Sequence, residues 1–191
     1  MRLTQKYLTN NDCYRAGRKI TVKGLMLHST GANNPKLSRY VGPDDGVLGV
    51  NPHNNDWNRR GIQKCVHGFI GLDRFGEVRT YQTLPWNHRG WHAGGKANDT
   101  HIGVEICEDG LDNVLYFNKV YKEAVELFAF LCRQFGLTES NIIDHSEGHK
   151  MGLASNHGDV MHWFRKHGKS MNTFRADVKA LLRKPTLESR L

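Results

Sequence analysis

The chain has 191 residues, of which 38% are hydrophobic and 24% are charged, so it can bury the core of one globular domain. No window approaches the roughly 18 consecutive apolar residues of a membrane span, and residues 1–6 lack the apolar run of a signal peptide. The net charge of +8 favours an anionic partner, but the basic residues form no basic helix or Arg-rich run. We therefore expect neither a nucleic-acid partner nor insertion into a membrane.

The first 107 residues contain four predicted β-strands. One apolar, β-prone stretch ends over 24–28, and further strands are predicted over 65–72, 78–82 and 102–107. Segment 31–61 lies between the first two strands and is rich in Asn, Gly, Pro and Asp. It is too long for a simple connection, so we expect it to be functional or ordered by short helices, and to form one wall of a cleft.

The second half of the chain contains two predicted helices. Apolar residues recur at helical spacing over 118–135, where Gly136 supplies a C-terminal stop. A second amphipathic helix is predicted over 173–182. Between the two helices, residues 141–144 form a short strand-like run. Strands with helices between or beside them predict an α/β fold.

No internal repeat divides the sequence. We therefore assign residues 1–183 to a single domain. Residues 184–191 are polar, and we predict that they form a frayed tail or the stub of a linker.

The cysteines give no sign of a metal or redox motif. There are four of them, with no CxxC pair: Cys13, Cys65, Cys107 and Cys132. Three lie in apolar stretches, where a free thiol behaves as a small hydrophobic side chain. We predict that all of them are reduced and structural.

Two histidines each follow an apolar, strand-like run. His28 ends the first predicted strand, and His145 follows residues 141–144. Such a histidine is held rigidly at a sheet edge, although a single one is as readily explained by a hydrogen bond in a turn. A catalytic zinc ion takes three protein ligands from His, Asp, Glu or Cys and keeps a fourth position open for water. Two histidines delivered in this way from distant segments therefore indicate a zinc site.

Residues 156–160 supply a third ligand. His157 and Asp159 are two residues apart, a spacing that places both side chains on one side of an extended segment. We predict that Asp159 binds the metal and that His157 faces the substrate. The stretch 145–149 is superficially similar to the helix of zinc proteases, but no Glu follows its first histidine directly and Gly148 disfavours a helix. The protease interpretation is therefore not favoured.

The sequence resembles one family over most of its length, the type-2 N-acetylmuramoyl-L-alanine amidases, which are related to peptidoglycan recognition proteins and occur in phage endolysins and bacterial autolysins. Six blocks in order carry the resemblance: Leu-His-Ser-Thr at 27–30, Val-His-Gly-Phe-Ile at 66–70, Gln-Thr-Leu-Pro-Trp at 82–86, Arg-Gly-Trp-His-Ala-Gly at 89–94, Ile-Gly-Val-Glu-Ile-Cys at 102–107, and the ligand-bearing stretch 145–159. The resemblance implies a central mixed β-sheet flanked by helices, with a zinc site in a cleft at one side of the sheet.

The resemblance also implies an activity and a set of site residues. One zinc ion per chain would be bound by His28, His145 and Asp159, and Glu105 matches the position of a general base. The reaction would be hydrolysis of the amide bond between N-acetylmuramic acid and L-alanine in bacterial peptidoglycan. The alternative is a peptidoglycan-binding recognition module that does not cut its ligand. Because all three ligand positions are filled, catalysis is the favoured hypothesis.

Some positions depart from the family pattern. Many members have Lys two residues before the third ligand, and this chain has His157 at that position. The imidazole of His157, instead of a lysine ammonium group, would then stabilise the transition state. The second and third ligands are also further apart than in short members, so His149 or His157 could compete with Asp159 for the metal. Some members carry a catalytic Tyr in the second strand, and here that role either falls to His67, for which we predict a substrate contact, or is absent.

Two further hypotheses concern the substrate and a rival nucleophile. Trp91 and His92 lie in a Gly-rich segment where an aromatic pair can face a sugar or peptide, so we predict substrate contacts for both, although a buried structural turn fits equally well. A Cys-His peptidase built on Cys65 or Cys107 would need an exposed thiol of low pKa, and both cysteines lie in predicted core strands.

The implied setting is the bacterial cell wall. The positive charge favours anionic wall polymers as additional partners. Without a signal peptide, we expect synthesis in the cytoplasm and action on the wall after release through a holin or by lysis. A phage endolysin, a prophage protein and a bacterial autolysin would all share these residues.

Overall fold

A computed structural model describes residues 1–185 of the chain and shows a six-stranded mixed β-sheet in the order β1-β4-β3-β5-β2-β6. The strands are β1 (Leu3–Gln5), β2 (Gly24–Ser29), β3 (Gly68–Leu72), β4 (Val78–Gln82), β5 (His101–Ile106) and β6 (Ile142–Asp144). Strands β3, β5, β2 and β6 run parallel, β4 is antiparallel to β3, and β1 is parallel to β4. Of the predicted tail 184–191, residues 186–191 lie outside the described range.

Within residues 1–185, five α-helices accompany the sheet and confirm the predicted α/β class. They are α1 (Asp12–Ala16), α2 (Val114–Phe135), α3 (His145–Lys150), α4 (Met161–Phe164) and α5 (Met171–Leu182). Helix α2 begins earlier than predicted because the Asn113 side chain caps it by accepting the N–H of Tyr116, and it ends at Gly136 in the left-handed conformation, as predicted. No helix in the described part of the chain combines the length and apolar character that a membrane crossing requires.

The two faces of the sheet have different neighbours. Leu25 and Leu27 of β2 belong to the main core, which they share with the apolar residues of α2, α4 and α5. Successive strand residues point to opposite faces, so Met26 and His28 face the other side, where Met26 packs against Ala93 and Ala97. One face is thus sealed by helices, and the other carries short segments that leave space for a cleft.

The expectation that Gly148 disfavours a helix at this point is wrong, because Gly148 lies within helix α3. Asp144 and Glu147 form a capping box, in which the Asp144 side chain accepts the Glu147 N–H. A Cβ atom on Gly148 would lie 2.8 Å from the terminal methyl of Met26. The glycine therefore lets α3 pack closely on β2, and this contact compensates for its low helix propensity.

Segment 31–61 contains one short 3-10 helix, Leu37–Arg39. Its aromatic residues Tyr40 and Trp57 both lie with their ring centroids 5.0 Å from that of Phe69 on β3. These contacts hold the segment against the sheet. The segment is thus held mainly by these aromatic contacts, and a single short helical turn contributes to its order.

The prediction that all four cysteines are reduced is wrong for two of them. Cys13 of α1 and Cys65 form a disulfide across a sequence separation of 52, whereas Cys107 and Cys132 are free and buried as expected. Cys65 also forms an isolated antiparallel bridge with Trp91. The disulfide therefore ties the N-terminal helix to the backbone that carries Trp91.

We expect the double variant Cys13→Ser/Cys65→Ser to lose about 2–4 kcal/mol of unfolding free energy, because the cross-link restricts the unfolded chain over a long loop. Denaturant titration without reductant measures this loss. Reductant should destabilise the native chain by a similar amount and leave the variant unchanged. Equal midpoints for the two proteins without reductant would contradict the assignment.

A buried carboxylate stabilises the turn between β3 and β4. The Asp73 side chain accepts the N–H groups of Phe75 and Glu77 and pairs with the Arg79 guanidinium. Burial raises the pKa of Asp73, but the hydrogen bonds from Arg79 and these two N–H groups outweigh it and hold the pKa below the usual value. The ionised carboxylate is thus favoured in the folded state.

We expect Asp73→Asn to cost about 1–3 kcal/mol of unfolding free energy at neutral pH. Because the folded-state pKa is lowered, the stabilisation is present above the unfolded-state pKa and is lost as pH falls through the folded-state pKa. Thermal unfolding of both proteins across the acidic range should therefore show the gap closing. Asp112→Asn, which removes an exposed ion pair with Lys166, serves as the control and should change little. A pH-independent gap would exclude the charge as its cause.

Candidate active site

Three parallel strands deliver polar side chains to the same edge of the sheet. His28 lies near the C-terminal end of β2 and is paired in register with Glu105 of β5. His145 directly follows β6, the other neighbour of β2. The carboxyl ends of parallel strands are the usual place for a site in an open α/β sheet. The predicted position of both histidines at strand ends is therefore observed.

Asp159 joins these histidines from a loop that the core holds in place. The residue after it, Val160, is fully buried in the main core, and Trp163 and Phe164 of α4 are buried beside it. His28, His145 and Asp159 offer ligand atoms within 4.8 Å of one another. The sequence thus identified the group of three residues that the fold brings together.

The distances within this group fit a zinc ion. Nδ1 of His28 lies 3.1 Å from Oδ2 of Asp159 and 3.2 Å from Nδ1 of His145, and the last pair, His145 Nδ1 and Asp159 Oδ1, lies 3.6 Å apart. A tetrahedral zinc ion with bonds of about 2.0–2.1 Å holds its ligand atoms about 3.3–3.4 Å apart. Two imidazoles and a carboxylate are also a donor set that zinc accepts.

The charges of the three residues suit a cation. Burial raises the pKa of Asp159, but the hydrogen bond with His28 and the positive charge of that ring hold it below the usual value. Burial and the neighbouring His28 lower the pKa of His145 to about 4, so this ring is neutral at neutral pH. Burial lowers the pKa of His28, yet Asp159 outweighs that effect and raises it. Without metal, Asp159 thus favours the protonated form of His28 at the position of a metal.

Each ligand histidine is also held through its other ring nitrogen. Nε2 of His28 lies 2.9 Å from Nδ1 of His92. Nε2 of His145 lies 3.1 Å from the Ser155 hydroxyl, which in turn donates to the Ala93 carbonyl oxygen at 3.2 Å. Such partners orient metal-binding imidazoles. The adjacent residues His92 and Ala93 therefore support both ligand histidines.

Glu105 is a partly buried carboxylate whose charge is only partly compensated. Within residues 1–185, its Oε2 is buried and has no hydrogen-bond partner. Burial raises its pKa to about 7, although the nearby His28 opposes the shift. An unpaired buried carboxylate costs free energy, and such groups concentrate at functional sites.

The site opens into a cleft of about 550 Å³. Its lining residues come from the strand ends, the Gly-rich segment, segment 31–61 and the loop before α4: His28, Ser29, Thr30, Gly31, Trp57, Lys64, Val66, Trp91, His92, Gly94, Glu105, His145, Ser155, His157, Gly158, Asp159 and His162. The exposed His157 lies with its ring centroid 4.6 Å from that of His145. Trp57 meets the expectation that segment 31–61 contributes to a wall.

Two predicted substrate contacts need correction. His67 is fully buried and does not reach the cleft, because its Nε2 donates to the His88 carbonyl at 2.7 Å and its Nδ1 accepts the Gly103 N–H at 3.0 Å. His67 is therefore structural. His92 lines the cleft, but both of its ring nitrogens are bonded within the protein, to His28 and to the His101 carbonyl. It has no free ring nitrogen for a substrate.

The rival interpretations lack support in the structure. His149 bonds the Ala154 carbonyl oxygen through Nδ1, and it lies outside the ligand group found among the described residues. Cys65 is in a disulfide, and burial raises the pKa of the Cys107 thiol well above its usual value. Neither cysteine therefore offers the exposed thiolate that a nucleophile requires. Trp91, with 48% of its surface exposed in the cleft wall, remains available to a substrate.

Sequence reasoning missed several residues of the cleft. Ser155 was not singled out, because one serine in a polar loop carries no pattern. Trp57 and Lys64 come from segments with few apolar residues, and the Lys64 ammonium lies 4.9 Å from the centroid of the Trp57 ring. Gly103 lies beneath the His92 ring rather than in the cleft lining, and a glycine inside a strand is a sequence signal of such a close approach.

Comparison with known proteins identifies the family and supports the fold. The family model described as N-acetylmuramoyl-L-alanine amidase matches residues 17–159. The amidase XlyA of Bacillus subtilis is 35% identical over 72 residues, which are 36% of this chain and 23% of XlyA. The matched segment thus spans less than a quarter of that relative.

Two solved structures share the fold. Staphylococcus aureus hydrolase AmiA superimposes with a TM-score of 0.67 and 17% identity, covering 95% of this chain and 83% of AmiA. A mutant endolysin from Bacillus subtilis gives a TM-score of 0.61 and 22% identity, covering 93% of this chain and 99% of the endolysin. Because the family model spans most of the chain, the chain belongs to the type-2 N-acetylmuramoyl-L-alanine amidase family.

Proposed function

We propose that this chain hydrolyses the amide bond between N-acetylmuramic acid and L-alanine in bacterial peptidoglycan, with one zinc ion held by His28, His145 and Asp159. The observation that carries the proposal is that the three residues bring ligand atoms within 4.8 Å of one another, beside a carboxylate, Glu105, that has one buried and unpartnered oxygen. Family membership supports the choice of amide bond. Residues 1–183 would form the catalytic domain.

Zinc bound at this site would lower the pKa of a coordinated water to about 7 and polarise the scissile carbonyl group. Glu105 would accept a proton from the attacking water and transfer it to the leaving alanine nitrogen. Water is thereby divided between the two products, with hydroxyl on the lactyl carbonyl carbon and hydrogen on the amine. The unpartnered Oε2 of Glu105 supports this role because it is free to take up a proton.

His157 would stabilise the oxyanion that forms on the lactyl carbonyl. Its exposed ring lies beside His145, and its Nδ1 lies 3.1 Å from the Ser155 hydroxyl. Because Ser155 donates to the Ala93 carbonyl, it can accept the Nδ1 hydrogen of a protonated His157 ring, whose Nε2–H is then left to donate to the oxyanion. Trp91 would contact the sugar or peptide through its exposed face, and the Arg89 guanidinium 5.6 Å from its ring centroid would help to hold it.

The setting we propose is the cell wall. The likeness to a Bacillus subtilis endolysin supports a lytic role, with synthesis in the cytoplasm and access to the wall after release through a holin or by lysis. The net charge of +8 would favour retention on anionic wall polymers.

A recognition module that binds peptidoglycan without cutting it is the second candidate. The filled ligand set and the unpaired Glu105 both favour catalysis, because a module that only binds gains nothing from burying an unpartnered carboxylate.

Product analysis separates the two candidates. Purified walls are incubated with the protein, and new lactyl carboxyl groups, alanine amino groups and sugar reducing ends are each quantified. An amidase releases the first two in equal amounts and no reducing ends. Bound protein without new ends would establish the recognition module, and new reducing ends would indicate a glycosidase.

A further inference from the structure

We propose that Lys64 binds a free carboxylate of the substrate's peptide stem, on the residue that follows L-alanine. The enzyme would then prefer a stem that carries a negative charge at this position. The inference rests on the proposed function and deepens it, because it names a chemical group that the substrate must carry beyond the scissile amide bond.

Lys64 places a positive charge in the cleft. No other lysine or arginine of residues 1–185 lines it. The side chain is exposed, and in the same range its ammonium group forms no ion pair with an Asp or Glu. Its charge also reaches Glu105, because it opposes the rise in the pKa of that carboxyl group. The ammonium group therefore shares a space with the proposed base and is open to an anion.

The Trp57 ring holds the ammonium group in place. Nζ of Lys64 lies 4.9 Å from the centroid of this ring, within the range of a cation–π interaction. The ring itself is fixed, because it packs edge-on against Tyr40 and Phe69 at centroid distances of 6.0 and 5.0 Å. A lysine side chain loses rotamer freedom when it binds a ligand. A side chain that already rests on an aromatic ring loses less of it.

One buried side chain joins the backbones of Trp57 and Lys64. The amide group of Asn11 donates to the Trp57 carbonyl at 3.0 Å and to the Lys64 carbonyl at 3.1 Å. Asn11 is buried, and its Oδ1 accepts the Cys13 N–H at the start of α1. The disulfide then fixes Cys65, the neighbour of Lys64. Because Asn11 bonds only the backbone of Lys64, a change of the lysine side chain leaves this support intact.

A carboxylate is the ligand that fits an ammonium group in this place. Lysine offers three N–H donors and no acceptor, and its hydrogen bonds to an ionised acceptor are about twice as strong as those between neutral groups. The sugar side of the scissile amide offers hydroxyl and acetamide groups, whereas the peptide side offers carboxyl groups. L-Alanine is linked at both of its ends, so the nearest free carboxylate belongs to the residue that follows it.

A different role for Lys64 would be to act on Glu105 through its charge alone. Its removal would then change kcat and the pH profile equally for charged and uncharged stems. Carboxylate binding instead predicts a change in KM that is confined to the charged stem, because the contact is the same in the ground state and the transition state. The two roles therefore differ in what kinetics would show.

The experiment compares the native chain with Lys64→Met, Lys64→Arg and Lys122→Met. Zinc-loaded protein is given two soluble substrates, N-acetylmuramyl-L-alanyl-D-glutamate and its diamide, and kcat and KM are measured for each. Lys64→Met should raise KM for the acid about 5–10-fold and leave kcat and the diamide unchanged. Lys64→Arg keeps the charge and should keep the preference for the acid. Lys122 is an exposed lysine of α2, which covers the opposite face of the sheet, so Lys122→Met controls for the loss of one positive charge.

Equal KM values for the acid and the diamide in the native chain would overturn the proposal. So would an equal effect of Lys64→Met on both substrates, or the same loss in Lys122→Met. If the native chain cuts neither compound, the proposed amidase activity fails, and dissociation constants of the same two compounds replace KM. A preference for the acid that disappears in Lys64→Met would then still support the carboxylate site, and equal dissociation constants would refute it.

Discussion

Replacing Glu105 with glutamine is expected to lower the rate of wall hydrolysis by about 10²–10⁴-fold, the usual contribution of a general acid or base. Zinc content should stay at the native level, because Glu105 is not one of the three ligand residues. The measurement is the initial rate of release of lactyl carboxyl ends by zinc-loaded protein. Native activity in Glu105→Gln with zinc bound would exclude Glu105 as the base.

The same variant should not be destabilised. Because the pKa of Glu105 is raised to about 7 in the folded chain, ionisation costs stability progressively as pH rises above the unfolded-state value, and glutamine removes that cost. In the zinc-free form, Glu105→Gln should therefore gain stability relative to the native chain as pH rises through 7. Glu123→Gln is the control: this buried carboxylate accepts hydrogen bonds from Arg2 and Thr80, so its loss should cost stability and preserve activity.

Replacing Asp159 with asparagine is expected to weaken zinc binding by more than about 100-fold, since changes to the partners of ligands alone cost 10–100-fold. Wall hydrolysis should fall to background at zinc concentrations that saturate the native chain. The variant removes the one anionic ligand and leaves His28 without its charged partner. Chelator competition and hydrolysis rates on the same preparation measure both effects.

Two controls make the Asp159 result specific. Asp99→Asn removes a half-exposed carboxylate that pairs with Arg89, and it should bind zinc normally. His149→Ala tests the competing ligand and should also bind zinc normally, because His149 bonds the Ala154 carbonyl. Zinc loss in His149→Ala with retention in Asp159→Asn would reverse the ligand assignment.

Most of the three metal-ligand residues could be predicted from the sequence, because their positions depend on local sequence patterns. A histidine at the end of an apolar strand is held at a sheet edge, so His28 and His145 were recognisable one at a time. Asp159 was identified through its spacing from His157 and through resemblance. The strand 78–82 and the end of α2 at Gly136 also followed from local pattern and capping.

Other features depend on which distant segments meet, and a single sequence does not contain that information. The Cys13–Cys65 disulfide joins residues 52 positions apart, and nothing in their flanks distinguishes a bonded thiol from a buried one. His92 lies in a Gly-rich segment that is typical of an accessible loop, and only the approach of His28 and Gly103 shows its role. Gly148 was misjudged for the same reason, since its benefit comes from contact with Met26.

Metal content and wall hydrolysis measured on one purified sample test the central claim most directly. The sample is assayed as prepared, after removal of metal with a chelator, and after return of zinc. We expect one zinc per chain, loss of lactyl carboxyl release on chelation and recovery on zinc return. Undiminished hydrolysis by the metal-free protein would contradict it, as would wall binding without metal or cleavage.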